Sequence, residues 1–230
     1  MLHKMMLSSK REDLGLSPSD DMPTRLQQDA DAVSGISGKG LDCSLQLGDM
    51  GIFTKRCSEE LPDMDQHKFF RGNHDNPALC RMHHNYLGDW GYHSKNDMFW
   101  VSGGYSIDRH TRTIGIDWWE DEELSTGVLM DVLQYYADVK PKIMITHECP
   151  SVIKESALSN PGKRNITSRT ELALQAMYEV HQPELWVYGH HHQKVDKVMG
   201  KTRFIGLNEM KWGPLKECMF EIPGLTWDGV

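Results

Sequence analysis

No apolar stretch in this 230-residue sequence is long enough to cross a bilayer, and the first residues carry no apolar core of the kind that marks a secretory leader. A chain working in water is therefore expected. No two cysteines stand at a CxxC spacing. The five of them, Cys43, Cys57, Cys80, Cys149 and Cys218, are scattered and odd in number. That speaks against a disulfide framework and for reduced, mostly buried thiols in a cytoplasmic setting. Basic charge is scarce: 25 Lys and Arg face 33 Asp and Glu, a net charge of −8. Proteins that coat nucleic-acid phosphates usually carry a basic stripe, so nonspecific duplex binding is not indicated. A nuclease reading is weakened rather than removed, because metal ions can supply local positive charge. There is no internal repeat and no low-complexity tract. The stretch "GISGKG" at 35–40 is not a phosphate loop: Val33 stands where the leading glycine belongs, and Gly40 follows Lys39 in place of Ser or Thr.

What is present suits one large domain or two small ones, with 39% hydrophobic and 25% charged residues. Residues 1–40 are polar and rich in Ser, Asp and Gly, and a short helix over 23–34 is the one regular element expected there. From Leu41 the pattern changes, so the expected division is an atypical segment at 1–40 and a domain at 41–230. "LDCSLQLGDMG" alternates and then turns at Gly48, a strand running into a loop. "KFFRGNHD", "MFWVSGGYSID", "KPKIMITHECP" and "PELWVYGHHHQ" repeat that design, and "TRFIGLNEM" and "ECMFEIP" read as late strands. "SRTELALQAMYEVHQ" has apolar residues at helical spacing, with Ser168 or Thr170 as its cap. "IDWWEDEELS" and residues 126–136 suggest another helix, and the acidic run at 120–123 reads as a cap for a helix N-terminus or a solvated face. Trp118 and Trp119 read as core or lid. Strands alternating with helices give an α/β or layered α+β class.

Chemically capable side chains fall directly after strands: Asp49, then Asn73, His74 and Asp75, then His147, then His190, His191 and His192. Loops beyond the carboxyl ends of strands converge on one rim in such folds, so these clusters are expected to form one site. Asp49 offers a carboxylate, Asn73 a neutral oxygen, and His147, His190 and His192 imidazole nitrogens. Ligation by oxygen and nitrogen without thiolate suits Mn²⁺, Fe, Zn²⁺ or Ni²⁺. On an extended segment His190 and His192 would point one way and His191 the other. Glycines 48, 72 and 189 let the turns come close. His74 is the candidate general acid, with Asp75 expected to hydrogen-bond its ring and hold it protonated. Each of Asp49, Asn73 and His147 alone would be an ordinary turn or structural residue; their joint order is what points to a site.

The motifs "LGDMG" at 47–51, "GNHD" at 72–75, "THE" at 146–148 and "GHHH" at 189–192 resemble those of the calcineurin-like metallophosphoesterase superfamily, over about residues 41–210. "GGYSID" and "DWWEDEE" look like its small bacterial and phage-encoded branch. The resemblance implies a four-layer αββα sandwich, two mixed sheets face to face with helices outside. It implies metal ligation by Asp49, Asn73, His147, His190 and His192, and His74 as general acid. It also implies hydrolysis of phosphomono- or phosphodiesters by metal-activated water, with one or two divalent transition ions, Mn²⁺ foremost. Arg71, just before the motif, is the candidate substrate-binding residue, with a structural role as its alternative.

One family motif is missing. The DxH that ends the first strand has only an echo in Met1-Leu2-His3, with Met1 at the Asp position. The first strand is accordingly expected to be missing or replaced. An unfilled sheet position would then need cover, for instance by a second copy of the chain. The ligand set Asp49, Asn73, His147 and His190 is complete. The other set keeps only Asp49 and His192, so a second ion is expected to be weak, absent or rescued by His3, Asp20, Asp21, Asp29 or Asp31. Met50, Gly51 and Ile52 replace the GDxVDRG-type extension, which lowers the case for protein dephosphorylation. The rival reading is a degenerate metal-binding member that binds a phosphorylated ligand or partner without turnover. Asp108 and Arg109 are near-cleft candidates without an assigned role.

Overall fold

The computed structural model describes residues 43–59, 66–159, 166–209 and 215–228. The segment 1–40, with its expected helix over 23–34 and the candidate ligands His3, Asp20, Asp21, Asp29 and Asp31, lies outside the described residues. Strands β1 (Ser44–Leu47) and β2 (His67–Phe70) pair in parallel as a two-stranded sheet. Strands β3 (Trp90–His93), β4 (Met98–Val101), β5 (Ile143–Thr146), β6 (Leu185–Tyr188), β7 (Val195–Met199) and β8 (Thr202–Gly206) form a six-stranded mixed sheet in the order β3-β4-β5-β6-β8-β7. Its four central strands are parallel, and β3 and β7 close the edges antiparallel. The helices are α1 (Lys55–Glu59), α2 (Pro77–Arg81), α3 (Thr126–Val139), α4 (Ser151–Ala157), α5 (Arg169–Val180) and α6 (Leu215–Cys218).

Parallel strands covered on both faces read as continuous apolar runs, and successive side chains point to opposite faces. Phe99, Val101, Met144, Trp186 and Phe204 accordingly join a core with Leu129, Val132 and Tyr136 of α3, Ile153 of α4, and Leu174 and Met177 of α5. Their neighbours Met98, Trp100, Ile145, Val187 and Ile205 pack instead with Leu45, Leu47 and Phe70 of the small sheet. A third cluster sets Cys80 of α2 with Met50, Ile52 and Phe69. The result is a layered mixed α/β fold, six-stranded sheet against two-stranded sheet, flanked by helices. Cys43, Cys80, Cys149 and Cys218 are buried thiols. Among the described residues no helix is long and apolar enough to cross a membrane.

Helix signals hold where the sequence has them. The Ser168 side chain accepts from the Glu171 amide at 3.0 Å and caps α5; Ser125 does the same for α3 through the Val128 amide at 3.3 Å. The acidic run also caps a helix, though not the one that follows it: Glu123 accepts from the Thr170 amide at 3.0 Å, at the start of α5. Three expectations need correction. Among the described residues the second sheet is two-stranded and parallel, not mixed. "ECMFEIP" holds the end of the helical turn α6 and no strand. Residues 116–125 form turns rather than a helix, pinned by Trp119 stacked on Phe53 with ring centroids 6.2 Å apart.

The parallel strands end on one rim, and the pairing continues past them. The His147 amide donates to Val101 O (3.3 Å), Gly189 N to His147 O (3.0 Å), and Leu207 N to Tyr188 O (3.0 Å). Gly103 N donates to Arg71 O at 2.9 Å and ties the rim to the turn after β2. The expected carriers of chemistry are thereby held by main-chain bonds before any side chain acts.

Candidate metal centre

The chain leaves β1 through Gly48 at φ 91° and enters Asp49 at φ 54°, which turns the buried Asp49 carboxylate toward the motif after β2. There Gly72 passes so close that a Cβ on it would overlap Asp49 Oδ1 and sit 2.6 Å from Cε1 of the His147 ring. His190 and His192 are also left-handed, at φ 62° and 52°. Among the described residues five non-glycines have positive φ, and three of them are Asp49, His190 and His192. That backbone is uncommon for residues with a Cβ and collects where surrounding structure enforces it, as at functional sites.

Asn73 Oδ1 lies 3.0 Å from His147 Nε2 and 2.9 Å from His190 Nδ1. The two imidazole nitrogens are 3.2 Å apart, and Asp49 Oδ1 is 3.5 Å from His147 Nε2. All four side chains are buried. An ion about 2.1 Å from each ligand sets adjacent ligand atoms roughly 3.0–3.4 Å apart in octahedral or tetrahedral arrangement, close to the spacing found here. The opposite atoms are anchored so that lone pairs face inward. The His147 Nδ1–H donates to Leu47 O at 2.7 Å, which leaves Nε2 as the acceptor. Asn73 Nδ2 donates to Ser106 Oγ at 2.8 Å, which sends its oxygen to the centre. The donor set therefore fits a divalent transition ion. Glu148, His190 and His191, all buried, also bring ligand atoms within 4.8 Å of one another and form a further group able to hold an ion.

No protein-family model matches the chain, and no curated protein does. Among solved structures it is similar to a candidate 5'-nucleotidase from Staphylococcus aureus, solved in complex with alpha-ketoglutarate. The identity is 13% and the TM-score 0.42, over 80% of this chain and 43% of that one. The chain thus spans less than half the length of that structure.

Of the residues singled out in the sequence, Asp49, Asn73, His147 and His190 come together and His74 lies beside them, its main-chain N–H donating to Asp49 Oδ1 at 2.9 Å. His192 is placed differently. The segment 190–192 is curled by its left-handed residues, not extended, so His191 is buried rather than turned away, and half-buried His192 stands 3.4 Å from Glu209 on the loop after β8. Asp75 does not hold the His74 ring. Its Oδ1 accepts from Gly51 N (2.8 Å) and Ile52 N (3.2 Å), and its Oδ2 from Gly72 N (2.9 Å), so it staples the two ligand-bearing turns together. Burial and then the Asp49 charge push the Asp75 carboxyl up to about 6, against the pull of those amides.

Arg71 makes contacts that match the structural role given as its alternative. It is fully buried, with Nε on Asp89 at 2.5 Å and a guanidinium N–H on Glu122 O at 2.7 Å. Asp89 also accepts from Arg81 and Tyr86. Burial alone would raise the Asp89 carboxyl, but the charge and hydrogen bond of Arg71 hold it below the usual range. That stabilisation is present above the unfolded-state pKa and is lost as pH falls through the lower folded-state one. Arg71→Leu should therefore destabilise the fold, toward the lower end of about 3–5 kcal/mol because Asp89 keeps other donors. Denaturant titration should show the loss at neutral pH and a flatter acid limb, with metal uptake unchanged.

Three participants were not singled out from the sequence: Ser106, Glu122 and Glu148. Ser106 lies in "GGYSID", a strand-then-loop cluster like the others, and its amide donates to Glu122 Oε1 at 3.1 Å. Asp108, flagged without a role, pairs with Arg112 at 2.9 and 2.7 Å, while Arg109 lies 4.6 Å from the Tyr105 ring centre.

Proposed function

We propose that this chain is a metal-dependent phosphoesterase that hydrolyses phosphomono- or phosphodiesters, with a divalent transition ion held by Asp49, Asn73, His147 and His190. The carrying observation is the convergence of those four side chains at the spacing of a ligand shell, with the outer atoms of Asn73 and His147 anchored. Bound there, an ion of this class acts as a Lewis acid that acidifies water and offsets charge on phosphoryl oxygens. Oxygen and nitrogen donors without thiolate suit Mn²⁺, Fe, Zn²⁺ or Ni²⁺. A second ion would draw on His192 and the buried Glu209.

The chain's own residues supply the remainder. Asp49 contributes the negative charge that attracts the cation. His74, whose Nε2 accepts from Asn73 Nδ2 at 3.3 Å and so lies beside the four ligands, is our candidate to give a proton to the leaving oxygen once its ring is protonated. Asp108 is a carboxylate whose charge interacts with that imidazole. Arg112, fixed by Asp108 and within electrostatic reach of Asp49, replaces Arg71 as the candidate cation for the substrate phosphate.

The second reading is a binder of a phosphorylated ligand without turnover. It is favoured by one observation: Asp75 engages main-chain amides with both oxygens and is not the residue that orients the His74 ring. Metal-stripped protein given an aryl phosphodiester and an aryl phosphomonoester separates the two. Turnover should rise with added Mn²⁺ and vanish with a chelator. Bound Mn²⁺ with no turnover of either ester at any concentration would leave the binder.

A further inference from the structure

Glu148 directly follows the ligand His147, yet its side chain serves other imidazoles. Its Oε2 lies 3.3 Å from His190 Nε2, the nitrogen opposite the Nδ1 that faces Asn73 and His147. Its Oε1 is hydrogen-bonded to His191 Nε2 and accepts from the Cys149 amide at 2.9 Å. The carboxylate is 3% exposed and both histidines 6%. Lys154, buried in an ion pair with Glu171 at 2.5 Å, lines the same small cleft. None of this is used by the reaction chemistry above, and a buried carboxylate is costly unless its partners need it.

We propose that Glu148 is a positioning residue for the metal centre. It holds the His190 ring so that Nδ1 presents its lone pair to the ion, and it places a negative charge one imidazole away from that ion, with His191 clamping its second oxygen. The inference rests on the metal centre proposed above. A neutral imidazole has one N–H and one lone pair, so an N–H directed at Glu148 makes Nδ1 the acceptor. A carboxylate behind a ligating histidine fixes its orientation and raises its basicity. The anchor on His147 is a neutral carbonyl, so the two anchored rings differ in charge support. The rival use of the same atoms, a separate ion bound by Glu148, His190 and His191, would require opening the direct Glu148–His191 hydrogen bond.

The test is a Mn²⁺ titration of the full, metal-stripped chain, read by calorimetry and by the signal of unbound Mn²⁺. It compares wild type, Glu148→Gln and Asn73→Ala, with far-UV circular dichroism to confirm the fold. The near-isosteric Glu148→Gln keeps one acceptor but not two, and should weaken Mn²⁺ binding about 10–100-fold with the number of ions per chain unchanged. The absorption bands of bound Co²⁺ should shift as the His190 ring loses its anionic partner. An unchanged Kd would overturn the proposal in favour of plain packing. One ion fewer per chain would overturn it in favour of Glu148 as a ligand. If wild type itself takes up no Mn²⁺, the metal centre falls and this proposal with it. If Asn73→Ala loses the ion and Glu148→Gln binds as wild type, only the role of Glu148 falls.

Discussion

Gly72→Ala should abolish metal uptake and hydrolysis together, although it adds a single methyl group to a turn. The methyl carbon would overlap Asp49 Oδ1, lie 2.5 Å from Asp49 N and lie 2.6 Å from His147 Cε1. Asp49 and His147 are fully buried, and Asp49 N is main chain, so no flexible side-chain end can swing aside. Relief must come from the turn moving away from the centre, which separates Asn73 from Asp49. Overpacking of this kind costs about 1–3 kcal/mol in stability, so a folded variant should be recoverable. Gly115→Ala is the matched comparison. Gly115 also has a positive φ, 77°, but a Cβ there meets nothing within 4 Å. It should cost about 1 kcal/mol through backbone strain alone and leave the centre intact. A Mn²⁺ titration of both variants decides it: uptake by Gly72→Ala equal to wild type would mean that the turns have slack and the close approach is not required.

The convergence of Asp49, Asn73, His147 and His190 was legible in the sequence, while the outer contacts of those residues were not. An apolar run that stops at a glycine and releases Asp, Asn or His is a local pattern, visible for Asp49, Asn73 and His190 without knowing how the strands pair. Side-by-side parallel pairing then brings His147 and His190 to one rim. The partners that anchor these residues come from elsewhere in the chain. Ser106 reaches Asn73 across 33 positions, and Glu148 reaches His190 and His191 across more than 40. No spacing rule announces such contacts. The contacts of Arg71 and Asp75 differ from those expected for a related reason. Both stand beside the motif in sequence, but Arg71 belongs to the backbone direction that points into the protein, where Asp89 and Glu122 O receive it. Asp75 points back across the turn to amides released by β1. The curl at 190–192 was hidden because alternation assumes an extended backbone, and positive φ at His190 and His192 breaks that assumption. The edge strands β3 and β7 escaped notice because they have one sheet neighbour and less apolar content; β7 exposes Asp196 and Val198.

His74→Ala should lower kcat by about 10²–10⁴-fold while leaving Mn²⁺ uptake unchanged. The separation is expected because residue 74 serves the centre in two ways that the substitution divides. Its main-chain N–H donates to Asp49 Oδ1 at 2.9 Å, and alanine keeps that bond. Its ring contacts Asn73 Nδ2 at 3.3 Å, but that amide retains Ser106 Oγ at 2.8 Å, so its oxygen still faces His147 and His190. The Asp75 staple to Gly51, Ile52 and Gly72 holds the turn in place without the ring. What disappears is the imidazole, and the size of the defect should depend on the leaving group. A nitrophenolate departs readily without a proton, whereas an alkoxide needs one, so the deficit should be small for a nitrophenyl ester and approach the full range for an alkyl ester. Asp108→Asn, which removes a carboxylate whose charge interacts with His74, should show the same dependence in weaker form. Equal deficits on both esters would move His74 from proton donation to binding the phosphate. A measurable wild-type turnover that His74→Ala leaves untouched on every ester would remove the histidine from the reaction altogether.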